Sequence, residues 1–180
     1  IPNQIRTIDQ LGLPPILHDF TKLSQGFVLM VGPAGHGKST SLAGLLDEIN
    51  HTRTVHIITV EDPIEFVYTR KQSVIRQREV GMDTLSFKDA LRHALRQDPD
   101  VVLIGEMRDA ETVSTSLNAA LTGHLVFSTL HTNDAAGAIP RLIDMDAKPS
   151  LVSPALDLII AQRLVRRLCT FCKEEAKLSE

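Results

Sequence analysis

The stretch Gly32-Pro33-Ala34-Gly35-His36-Gly37-Lys38-Ser39 has the spacing G-x-x-x-x-G-K-[ST]. That spacing builds a phosphate-binding loop. Its glycines let the backbone curl until N–H groups converge on phosphate oxygens, and a helix starting directly behind adds its dipole to the same anion site. Lys38 reaches the β- and γ-phosphates of such a ligand, and Ser39 offers a hydroxyl to Mg²⁺. Three acids stand where this chemistry needs them. Glu106 ends the apolar run Val101–Gly105, and Glu61 and Asp62 end the run Val55–Val60. A carboxylate at such a place can face the metal, or orient and partly deprotonate the water that attacks a γ-phosphate. His131 stands with Thr129, Thr132 and Asn133 behind the run Leu125–Thr129, where an imidazole can hydrogen-bond a γ-phosphate. His124, before that run, reads as structural, and His36 in the loop is expected to face solvent.

These groups need strands to deliver them. Phe27–Val31 is a buried strand leading into the loop, and Thr40–Ile49 follows with Leu42, Leu45, Leu46 and Ile49 on one helical face. Val55–Val60 is rich in β-branched residues, and Ser73–Arg76 is a short extended piece. Ser86 with Asp89 three residues on makes a capping-box-like start for the next helix, which Asp98-Pro99 stops. Val101–Ile104 is apolar throughout, as inside a parallel sheet. A helix over Ala110–Leu121 ends before Gly123, and Leu125–Thr129 is again a strand. Helices are expected near Ile16–Leu23, Ala135–Met145 and Leu151–Ala161, and a last strand over Leu164–Leu168. Strands alternating with helices imply an α/β fold whose mostly parallel sheet is covered on both faces. In such sheets ligands bind beyond the carboxyl ends of the strands, where each motif above falls.

The bulk properties agree with one ordinary domain. The chain has 180 residues, 43% of them hydrophobic, with a formal net charge of −3. That charge gives no global basic field for nucleic acid or an anionic membrane. With no Trp and one Tyr, little is available for base stacking. No apolar stretch has the length of a membrane span, and the N-terminus lacks a secretory pattern, so a cytoplasmic location is expected. The chain opens on Ile rather than Met and is read as a fragment. No N-K-x-D stretch supports guanine recognition. Cys169 and Cys172 are the only two cysteines, in C-x-x-C spacing. They read either as ordinary reduced thiols or as half of a zinc site, since structural zinc takes four ligands.

Taken together, these motifs resemble the secretion ATPase superfamily, the motors of type IV pili and type II secretion. Gly32–Thr40 resembles that family's Walker A. Ile58-Thr59-Val60-Glu61-Asp62-Pro63-Ile64-Glu65 resembles its Asp box, and Asp98–Asp109 its Walker B. Thr122–Val126 with Ser128–Ala135 resembles its His box. The resemblance implies a RecA-like P-loop ATPase domain over residues 26–168, preceded by a linker over residues 1–25 from a missing N-terminal domain. It implies ATP and Mg²⁺ as cofactors. The phosphate and metal contacts would come from Gly32, Pro33, Ala34, Gly35, His36, Gly37, Lys38, Ser39 and Thr40, with Ser39 and Glu106 on the metal side. Glu61 and Glu106 would be the metal-linked and water-activating acids, in either order, and His131 the sensor of nucleotide state. The partners implied are a cytoplasmic homo-hexamer and an inner-membrane platform protein, with the membrane reached only through partners. Arg78-Glu79-Val80 and Gly105-Glu106-Met107-Arg108-Asp109 look like retraction motors. Ile160–Cys169 with Cys172 looks like assembly and export motors, whose zinc element residues 169–180 would begin. A second function class is a nucleotide-dependent interaction module that binds ATP, changes shape and hydrolyses little.

Overall fold

The computed structural model describes residues 4–175. Six strands form one sheet, β1 (Gly26–Val31), β2 (His56–Glu61), β3 (Val74–Glu79), β4 (Val101–Ile104), β5 (Leu125–Leu130) and β6 (Leu156–Ala161). Their order is β3-β2-β4-β5-β1-β6, and every neighbouring pair is parallel. The helices are α1 (Leu17–Phe20), α2 (Lys38–Thr52), α3 (Phe87–Leu95), α4 (Ala110–Leu121), α5 (Ala138–Asp144) and α6 (Pro149–Ala155).

The alternation of side chains along β1 splits the core in two. Phe27, Leu29 and Val31 face a cluster built with α3, α4, α5 and α6. Val28 and Met30 face the other, built with α1 and α2. β1, β4 and β5 are buried at every position, which is why they read as unbroken apolar runs. β3 lies at one edge and carries Arg76, Arg78 and Glu79, charges that blunt an exposed ladder. Ile8 and Leu17, from the residues ahead of β1, are buried in the α2-side cluster.

Local signals set several boundaries. Ser86 caps α3, its Oγ accepting from Asp89 N–H at 3.1 Å and donating to Asp89 Oδ2 at 2.7 Å. Asp109 caps α4 by accepting from Thr112 N–H at 2.8 Å. Gly123, just past α4, has φ +100°, the conformation that ends helices on glycine.

The C-terminal third departs from the sequence expectation. The helix expected over Leu151–Ala161 stops at Ala155, and Leu156–Ala161 is strand β6, paired with β1. Pro154 stands inside the short α6, where its missing N–H weakens continuation, and the open edge of β1 takes the next six residues. Asp157, the polar break in that run, accepts from Phe27 N–H at 3.0 Å. With β6 on that edge, the strand expected over Leu164–Leu168 does not form, and Val165 and Leu168 are exposed. α5 begins three residues later than expected, and α1 is only four residues long.

Candidate functional site

β2, β4, β5 and β1 are consecutive in the sheet, so their carboxyl ends form one row. A single cleft beyond that row is lined by Ala34, Gly35, Lys38 and Ser39 from the loop, Glu61 and Asp62 from β2, Glu106 after β4 and His131 after β5. The structure thus gathers the acids and the histidine singled out from sequence around the phosphate loop. A shallower cleft alongside is lined by Gly32, Pro33, Thr132 and Asn133, and His131 lines both.

The loop itself runs from β1 into α2. Gly37, at the N-cap of α2, has φ +80°, a left-handed conformation suited to glycine. Lys38 is buried, and its Nζ donates to Gly32 O at 2.8 Å and Pro33 O at 2.9 Å. Burial lowers its pKa from the ordinary lysine value, against which Glu106 and Glu65 pull upward. The ammonium is thus held among carbonyls at the mouth of the loop, positioned for an anion. Ser39 Oγ donates to Glu65 Oε1 at 3.1 Å. Thr40 is half-buried in the first turn of α2.

Glu61 is buried at the end of β2. Its Oε1 accepts from Thr59 Oγ1 at 2.6 Å and from Gln77 Nε2 at 3.2 Å. Burial raises its pKa, and these two donors pull it back. Glu106 sits between a guanidinium and an imidazole. Arg108 Nη2 donates to Glu106 Oε1, and His131 Nε2 lies 3.6 Å from Glu106 Oε2. Arg108 also reaches Asp62 Oδ2 at 3.3 Å, and its bond to Glu106 raises its own pKa. The end of β4 is fixed by its neighbours. Thr129 Oγ1 donates to Gly105 O at 2.6 Å, Ser128 Oγ to Ile104 O at 2.9 Å, and Gly105 N to Val60 O at 2.8 Å.

Two histidines lie elsewhere. His124 Nδ1 is 3.1 Å from Ala119 O, at the end of α4 and away from the cleft. His36 is half-buried and its Nδ1 accepts from Leu164 N–H at 3.0 Å, so it is engaged with the chain rather than turned wholly to solvent. Three participants escaped the sequence reading: Glu65, Arg108 and Gln162. Gln162 is the polar residue that ends the apolar run of β6, a signal visible only once that run is known to be a strand. Magnesium fits the hard oxygen donors here, because it takes one or two protein oxygens and completes its shell with phosphates and waters. Ser39 and Glu106 both line this cleft and would be the oxygen donors for it. Zinc does not fit. Cys169 and Cys172 are exposed thiols beside a turn. Among the described residues no group of three or more His, Cys, Asp or Glu side chains is placed to hold a metal ion.

An all-parallel sheet with a glycine-rich loop between β1 and α2, and acids at neighbouring strand ends, defines a RecA-like P-loop fold. The family described as Type II/IV secretion system protein matches residues 7–180, and this chain belongs to it. The chain is 47% identical over 174 residues to the type IV pilus retractation ATPase PilT of Pseudomonas aeruginosa, covering 93% of this chain and 51% of that protein. It is 45% identical over 184 residues to the type II secretion system protein E of Aeromonas hydrophila, covering 99% and 36% respectively. The crystal structure of the pilus retraction motor PilT with bound ADP superposes with a TM-score of 0.88 at 50% identity, covering 92% of this chain and 50% of that one. The chain therefore spans about half, or less, of the length of these relatives. Among the described residues no helix is long and apolar enough to cross a membrane.

Proposed function

We propose that this chain is the ATP-hydrolysing domain of a secretion-type motor, converting ATP and water to ADP and phosphate. One observation carries the reading: Lys38, Glu61, Glu106 and His131, from four separate strand ends, line one cleft. In that cleft Lys38 and the N–H groups of the loop hold the β- and γ-phosphates. Ser39 and Glu106, with Thr40 beside them, would hold Mg²⁺, which when bound would supply positive charge to the phosphate oxygens. Glu61 and Glu106 flank the position of the attacking water, and the raised pKa of Glu61 equips it to take a proton. His131, which lines the cleft 3.6 Å from Glu106 Oε2, registers the γ-phosphate in this reading.

The domain reads as residues 26–168, with the preceding residues packed against α2 as its linker. It works in a cytoplasmic homo-hexamer that drives an inner-membrane platform protein of a type IV pilus or type II secretion system. The kinship with PilT and with the type II protein E supports this assignment. The test is nucleotide binding and phosphate release by the intact protein. Lys38→Ala removes the cation from the loop and is expected to weaken ADP binding by about 100-fold or more, since charge-assisted bonds to phosphate are the strong ones. A Lys38→Ala protein that binds ADP like the parent would overturn the reading.

A further inference from the structure

Gln162 is hydrogen-bonded both to the phosphate loop and to the helix behind it. It follows β6 directly, and its backbone N–H extends the ladder by donating to Val31 O at 2.9 Å. Its side chain is used at both ends. Oε1 accepts from Ser41 Oγ of α2 at 2.8 Å, and Nε2 donates to His36 O at 2.9 Å. Two residues on, Leu164 N–H donates to His36 Nδ1 at 3.0 Å. Arg163 Nη2 donates to Asn133 O at 3.2 Å, which ties the same turn to the loop that carries His131.

Two glycines of the motif turn their bare faces to this residue. A Cβ on Gly32 would lie 2.4 Å from Gln162 O, and one on Gly37 would lie 2.8 Å from Gln162 Nε2. Both positions have positive φ. The absence of side chains there admits Gln162, on top of any close approach of phosphate. The peptide joining His36 to Gly37 is planar and trans, so its C=O and N–H point in opposite directions. Gln162 holds the C=O. The Gly37 N–H is thereby turned away from Gln162.

We propose that Gln162 is a positioning residue that locks the His36–Gly37 peptide so that the Gly37 N–H faces the bound phosphates. This rests on the nucleotide-loop reading above. It assigns a task to the turn after β6: to brace the loop from behind and link it to the His131 loop.

The test separates the two ends of the amide. Gln162→Glu keeps an acceptor for Ser41 but sets a carboxylate oxygen against the His36 carbonyl. Ser41→Ala removes the other contact and leaves the bond to the loop. In the intact protein, titrated with a fluorescent ADP analogue, Gln162→Glu and Gln162→Ala are expected to raise Kd about tenfold, as for loss of one oriented hydrogen bond. Ser41→Ala is expected to stay within about threefold, because the peptide lock remains. For ATP turnover, KM rises in the Gln162 variants while kcat changes less. Melting without nucleotide confirms that each variant is folded. Binding by Gln162→Glu equal to the parent, with Lys38→Ala inactive, overturns this inference alone. So does a Ser41→Ala defect as large as that of Gln162→Glu. A parent protein that fails to bind the analogue overturns both this inference and the loop reading.

Discussion

Replacing Glu106 with Gln separates the chemistry of this cleft from its architecture. The substitution keeps the shape and removes one charge. Arg108 loses one acid partner and keeps Asp62 at 3.3 Å. The Arg108 side chain is 58% exposed, so its pair with Glu106 contributes no more than about 1 kcal/mol. In a domain of this size that is a fall of about 2–4 °C in melting temperature at most. Nucleotide affinity is expected to hold within about threefold, because Glu106 acts on Lys38 only through space and its removal takes a negative charge away from the phosphates. Hydrolysis is where the loss falls. Glu106 flanks the attacking water in the proposed reading, and losing a carboxylate that helps orient and polarise it costs about 10²–10⁴ in rate, or roughly 2.7–5.5 kcal/mol of barrier. The catalytic term thus exceeds the structural one by a factor of at least two to three. Phosphate release at saturating ATP, beside a fluorescent-nucleotide titration and a melt, reads all three quantities. Hydrolysis within about tenfold of the parent would refute the role given to Glu106. Loss of binding together with hydrolysis would refute the geometry, since Glu106 would then be part of the phosphate grip.

Three further outcomes follow from single contacts. Gly32→Ala puts a Cβ 2.4 Å from the backbone oxygen of Gln162 at φ +146°. It should lower the melting temperature by about 3–10 °C, the equivalent of roughly 1–3 kcal/mol of strain, and an unchanged melt would contradict the clash. Thr59→Val removes the hydroxyl that donates to Glu61 and holds its pKa down. The acidic limb of the kcat profile should then move to higher pH, and a stationary limb would exclude Glu61 as the base. His18 Nδ1 lies 2.8 Å from Glu48 Oε2, and Glu48 and Asp9 raise its pKa above the ordinary 6.5. The stability it adds is complete below that ordinary value and is lost as pH rises through the raised one. The gap in melting temperature between the parent and His18→Gln should therefore close on going from about pH 6 to pH 8; a gap independent of pH would show that the charge is irrelevant.

What the sequence made legible depended on whether the signal was local. β1, β4 and β5 are buried on both faces, so their composition alone marks them. Ser86 with Asp89 announces α3 within four residues. β6 was hidden because its strand character comes from β1, more than a hundred residues upstream, whose free edge outweighs the helical spacing of Leu151 to Ala161. Asp157 looked like an interruption, yet it is the group that satisfies Phe27 N–H. Gln162 was passed over for the same reason. Arg108 stood in plain view within Gly105-Glu106-Met107-Arg108-Asp109, but nothing in that stretch says that its guanidinium reaches back to Glu106 and across to Asp62. The bond to Asp62 exists only because β2 and β4 are neighbours.

That neighbourhood also explains how separate motifs act together. β2, β4, β5 and β1 are adjacent in space though not in sequence. With strands about 4.8 Å apart, their four tips span roughly 14 Å, enough to seat a triphosphate chain, a metal and a water side by side. The tips are joined by a line of polar contacts: His131 to Glu106, Glu106 to Arg108, and Arg108 to Asp62. At the other end, Arg163 and Gln162 join the His131 loop to the back of the phosphate loop. His131 is thus linked to Glu106 directly, to Asp62 through one arginine, and to His36 through the turn after β6. The same contacts that hold the cleft in shape let a change at one strand tip be felt at the others. This is the property a motor domain needs if cleavage of a phosphate is to move anything beyond the cleft.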